Sequence, residues 1–172
     1  QNYGLLGIEH IGFGYDHLLF LVCLVFLFRH RWRSLVALAT VFTLAHSISL
    51  TFAALGFFLP NLPPIEALIA LSIVLMASEV VQSADAQPDR IRRVWPIIFL
   101  FGLIHGFGFA GALFGIGLPV EDRLWALLAF NVGVEIGQVV FILLILIPIG
   151  FLGSMGPRLT PKIAGYVIGT IS

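Results

Sequence analysis

The chain has 172 residues, 59% of them hydrophobic and 10% charged, with a mean hydropathy of +1.06. A soluble domain carries roughly 25% charged residues, so this composition excludes a water-soluble enzyme, a disordered chain and a nucleic-acid binder, and indicates an integral membrane protein. The net charge of zero leaves no basic face for nucleic acid, and the one cysteine, Cys23, supplies neither a disulfide framework nor a thiolate metal site.

A hydrocarbon core about 30 Å thick needs roughly 20 apolar residues per helix. Five runs meet that length: 8–28, 34–58, 63–82, 94–115 and 123–152. A sixth begins near Pro161 and is cut off at Ser172. Pro60, Pro63 and Pro64, then Gln87-Pro88, Gly117-Leu118-Pro119 and Gly156-Pro157, punctuate the runs. No ten-residue alternating strands occur, so a β-barrel is not expected. The expected fold is all-α: a polytopic transmembrane bundle of about six helices, the last incomplete, forming a single domain over 1–172. A first residue of Gln1, together with the short sixth span, suggests a chain truncated at both ends.

Arginine and lysine set the expected orientation. Arg29, Arg31 and Arg33 follow the first run, Arg90, Arg92 and Arg93 the third, and Arg158 and Lys162 the fifth; the opposite side has only Arg123. The positive-inside rule places the N-terminus outside, in a bacterial-type inner membrane.

Ionisable residues inside a span are costly and usually face the bundle interior. The spans hold Glu9, His10, Asp16, His17, His46, Glu66, Glu79, His105 and Glu135, and only His30 of the five histidines lies in a loop. At 1.5 Å per residue, Asp16 and His17 lie about 12–14 Å from the outer end, His46 about 16 Å, His105 about 15 Å and Glu135 about 18 Å. The midplane metal set is therefore Asp16, His17, His46, His105 and Glu135. His10 stands about 10 Å above His17 along one helix, and reads with Glu66 as an outer entrance. Thr43 and Ser47, and the stripe Asn131, Glu135, Gln138, place hydroxyls and amides where they can orient ligands. Gly102 and Gly106 form a small face beside His105 that admits a close neighbour. Glu79 reads as a partner for Arg90, Arg92 or Arg93, and Glu9 as a solvated interfacial group. Neutral imidazole suits nickel, zinc, cobalt, copper or iron, with nickel or zinc the expected ion, and two carboxylates would offset its charge.

These residues carry a family resemblance. Gly7, His10, Gly14, Asp16 and His17 resemble the opening motif of the HupE/UreJ family. Phe42-Thr43, Ala45-His46-Ser47 and Ser49-Leu50 are similar to its second motif. Glu66-Ala67 with Ile69-Ala70-Leu71-Ser72 resembles the third, Gly102-Leu103-Ile104-His105-Gly106 with Gly108-Phe109-Ala110 the fourth, and Phe130-Asn131, Gly133-Val134-Glu135 and Gly137-Gln138 the fifth. The resemblance covers nearly the whole chain. It implies a bundle of about six or seven transmembrane helices, in a family some of whose members accompany nickel hydrogenases and ureases as nickel permeases or accessory proteins. The nickel-linked branch has a His-Pro element near its start. This chain lacks one and continues Leu18-Leu19-Phe20-Leu21 after His17, which is more similar to the second branch.

Three functions stay open on the sequence: a transition-metal permease or accessory protein, a membrane-embedded zinc hydrolase with Asp16 or Glu135 as base, and a structural subunit of a larger membrane complex. The first is the leading expectation, with a bilayer and a metal ion as partners and enzymatic activity not favoured.

Overall fold

The computed structural model describes residues 2–28, 31–57, 61–82, 90–116, 122–152 and 166–170, with the side chains of 90–93, 112–116 and 148–152 left out. Among the described residues the chain is helical and has no strand. The helices are α1 (Tyr3–Phe13), α2 (Tyr15–Phe28), α3 (Trp32–Ala54), α4 (Leu62–Gln82), α5 (Arg90–Ile116) and α6 (Arg123–Leu152). Segment 166–170 is helical too; the rest of the expected sixth span lies outside the described residues.

Trp32–Ala54, Leu62–Gln82, Val94–Gly111 and Arg123–Ile147 are each long and apolar enough to cross a membrane. Their outward faces carry Leu44, Ile48, Phe52, Leu68, Leu71, Leu75, Leu128, Val132 and Ile136, all exposed. Lipid solvates such a face; water would not. Pro63 and Pro64 fall in the first turn of α4, where a missing N–H leaves no helical bond unmade.

The first run differs from its expected form. It starts earlier, at Tyr3, where Asn2 caps α1 by accepting the Leu5 N–H at 3.2 Å. It is also two helices, bent by 70° between α1 and α2. The break is one residue, Gly14. Its N–H donates to His10 O at 2.9 Å and its carbonyl accepts from Leu18 N–H at 3.1 Å, so the chain turns without stranding a backbone group. A Cβ there would meet His10 O at 2.5 Å and His17 Nδ1 at 3.1 Å. Only glycine fits the corner.

α1 packs on α6, α3 on α5 and α2 on α4, while α6 also meets α3 and α2. Two of these seams are built on glycine. A Cβ at Gly102 or Gly106 would strike the α3 backbone at Phe42 O or His46 O, and one at Gly7 or Gly133 would strike the facing α6 or α1 backbone. The small face expected beside His105 is therefore real, and it faces α3. Arg123, the lone basic residue on its side in the sequence, donates Nη1–H to Ala54 O at 3.1 Å. It thus satisfies a carbonyl at the end of α3 that no helical N–H reaches.

Candidate metal centre

The break at Gly14 changes what the first run can offer. In a straight helix His10 and His17 would sit two turns apart. Bent, their ring centroids are 4.6 Å from each other. His46 from α3 joins them, 5.8 Å from His10 and 5.6 Å from His17. One ligand atom from each of His10, His17 and His46 lies within 4.8 Å of the other two. His105 from α5 stands beside this group, its ring 5.2 Å from that of His17. His10 is half-buried, and His17, His46 and His105 are buried. The separation expected between an entrance His10 and a deep His17 is thus absent, because the helix on which it was counted is not continuous.

Phenylalanines close the walls. Phe109 lies 3.9 Å from the His10 ring and stacks on Phe130, and Phe42 meets His105 edge-on at 5.1 Å. Such rings fix the imidazoles in place and keep water from the nitrogens. The nitrogens inside have little else to bind: His10 Nε2, His17 Nε2, both nitrogens of His46 and His105 Nδ1 are buried with no hydrogen-bond partner. A buried polar atom left without a partner costs about 1–3 kcal/mol, so five together are unusual in a packed interior and could hold a ligand. Imidazole nitrogens bind a divalent transition metal at about 2.0–2.1 Å, which puts tetrahedral neighbours about 3.4 Å apart. Modest rotations of the three rings would bring a set within 4.8 Å to that spacing. The residues present fit such an ion.

A polar seam adjoins the centre between α3 and α6. Glu135 Oε1 accepts from Thr40 Oγ1 at 2.5 Å, and Gln138 Oε1 accepts from Thr43 Oγ1 at 3.0 Å. Asn131 Nδ2 donates to Leu127 O at 2.9 Å, turning Oδ1, which has no donor, to the side of His46. Ser47 instead donates to Thr43 O of its own helix at 2.6 Å. Two further residues hold the site's polar groups. Thr40, one turn before Thr43, holds Glu135, and it was detectable as the next polar position on that face. Ser72, in the sequence only one letter of a motif, lies 3.1 Å from His105 Nε2.

The carboxylates do not join the rings. Asp16 is exposed, since neighbouring helical residues diverge by about 100° and His17 takes the inward direction. Glu66 is exposed as well and within electrostatic reach of Asp16. Glu9 is exposed and Glu79 half-buried; the arginine side chains expected opposite Glu79, and His30, lie outside the described residues. Glu135 faces Thr40 and is not one of the three residues whose ligand atoms converge.

Residues 1–171 match the model of a family described as HupE / UreJ protein. No curated protein and no solved structure matches the chain.

Proposed function

The chain belongs to the HupE / UreJ family, and from that membership we propose that it is a permease or metal-handling accessory protein for a divalent transition metal of the nickel type. One observation carries the reading. Three histidines from a broken span and its neighbour bring their ligand atoms within 4.8 Å, and their inward nitrogens have no other partner. The family is associated with nickel and cobalt handling, and both ions accept neutral imidazole.

The ion is the cargo. His10, half-buried, is the ligand nearest solvent. His17 and His46 hold the ion deeper, and His105 stands beside the set, its ring 5.2 Å from that of His17. Asp16 and Glu66, exposed and within electrostatic reach, form an acidic mouth that raises the local cation concentration. With the N-terminus outside, as the arginine distribution favours, that mouth opens to the extracytoplasmic side of an inner membrane. A histidine set without a carboxylate in it suits a carrier, since binding must be firm enough to select and loose enough to release.

The structural-subunit reading is less well supported. A purely structural polar core pairs its histidines, and here His10 Nε2, His17 Nε2 and both nitrogens of His46 have no hydrogen-bond partner. The hydrolase reading needs a general base beside the ion. Asp16 is exposed, and Glu135, whose Oε1 is held by Thr40 while its Oε2 has no partner, is not among the residues whose ligand atoms converge.

The test is elemental analysis and Ni²⁺ titration of the detergent-purified chain. The parent should bind one equivalent that a chelator removes. His46→Ala and His17→Ala should each lower affinity at least 10-fold, because each removes a ligand. Parental binding in both variants would remove the proposed ligand set. A zinc ion that survives the chelator would move the reading to an enzyme.

A further inference from the structure

Histidine ligation depends on which ring nitrogen carries the proton, and the hydrogen bond at the other nitrogen decides it. His105 has one such bond. Its Nε2 lies 3.1 Å from Ser72 Oγ on α4, and its Nδ1 is buried with no partner. Ser72 has a single hydroxyl hydrogen. Its nearest acceptor is Ile69 O on the same helix, at 2.7 Å, a shorter contact than that to His105. A hydroxyl that donates there can only accept from His105, which requires the His105 proton on Nε2. Nδ1 is left as a bare lone pair on the ring that stands 5.2 Å from His17.

We propose that Ser72 is the positioning residue that locks His105 in the Nε2–H tautomer and so presents Nδ1 to the histidine centre as a ready ligand. Ser72 is itself buried, so no water competes for the bond. Gly106, next to His105, lets the backbone of α5 lie against His46 of α3, while Ile69, one turn before Ser72, fills the space at Gly108. Ring, hydroxyl and carbonyl are thus held by three helices packed to contact. In purpose the inference rests on the metal reading; in geometry it does not.

The experiment uses the full chain in detergent, labelled with ¹⁵N-histidine, with Co²⁺ as the probe. In the metal-free parent, the signals absent from a His105→Gln variant should show a protonated Nε2 and an unprotonated Nδ1. Ser72→Ala should blur that signature into mixed tautomers, weaken Co²⁺ binding about 10–100-fold and change the visible Co²⁺ spectrum. Ser72→Thr, which keeps the hydroxyl, should restore all three. An Nδ1–H tautomer in the parent, or parental affinity and spectrum in Ser72→Ala, would overturn the proposal. Should Ser72→Ala not fold, the parental tautomer and the Thr variant still decide it. A parent that binds no Co²⁺ would sink the metal reading alone, with the tautomer measured independently.

Discussion

At the residue scale, the polar side chains divide into two sets with different chemistry. The imidazoles of His10, His17 and His46 have bare nitrogens and face one another. Glu135 Oε1 and Gln138 Oε1 receive hydroxyl bonds from Thr40 and Thr43, which ties α3 to α6, while Glu135 Oε2 and Gln138 Nε2 have no partner. Thr40→Val should therefore act on stability. It leaves Glu135 Oε1 without its donor, at a cost of about 1–3 kcal/mol. A lower thermal midpoint with unchanged metal stoichiometry is the expected result. Loss of bound metal from Thr40→Val would mean that Glu135 belongs to the ligand set after all. The residue types here were legible in the sequence, but their pairing was not. Depth along a helix gives the height of a side chain and says nothing of its azimuth. Asp16 and His17 share a height and diverge in direction, so one is exposed and the other buried.

At the element scale, the decisive feature is the corner at Gly14. It turns two histidines a helix would keep two turns apart into neighbours at 4.6 Å. Broken helices at membrane depth are tolerated where protein surrounds them, and they commonly serve ion binding. Gly14→Ala places a methyl against His10 O and close to His17 Nδ1. It should weaken Ni²⁺ binding about 10–100-fold, as for other supporting residues of a metal site, while circular dichroism reports unchanged helix content. Parental affinity in that variant would show that the corner does not set the ligand geometry. The seams built on Gly102, Gly106, Gly7 and Gly133 play a simpler part. Without a hydrophobic drive between helices in lipid, close van der Waals contact between backbones holds the bundle.

At the scale of the whole molecule, orientation and proton competition are the testable properties. Arg31 lies at the start of α3 and Phe57 just beyond its end, both exposed. With the native Cys23 buried, Phe57→Cys should react with an impermeant thiol reagent in intact cells, and Arg31→Cys only after permeabilisation. The reverse pattern would invert the proposed topology. Binding should also weaken on acidification. A protonated imidazole cannot ligate, so every histidine that binds the ion must be neutral, and affinity rises with pH until all are. With three or four such ligands, the loss toward acid should exceed one proton per ion, that is, more than 10-fold per pH unit in the steep region. A Ni²⁺ titration series carried down in pH until binding is lost reads this slope, and a loss of less than one proton per ion would argue against histidine ligation.

Hydropathy by itself determined that the chain spans a bilayer in several helices, because lipid admits only segments whose backbone bonds close internally. Proline and glycine punctuation placed most helix limits, and the order of polar residues along the chain was enough for the family. Tertiary structure decided the rest. It showed that His10 belongs with His17, since one glycine turns the chain by 70°, and that Asp16 and Glu66 stand outside while Ser72 stands behind His105. These are matters of direction and adjacency between helices. A one-dimensional pattern records how far along a helix a residue lies, and only packing determines what it faces.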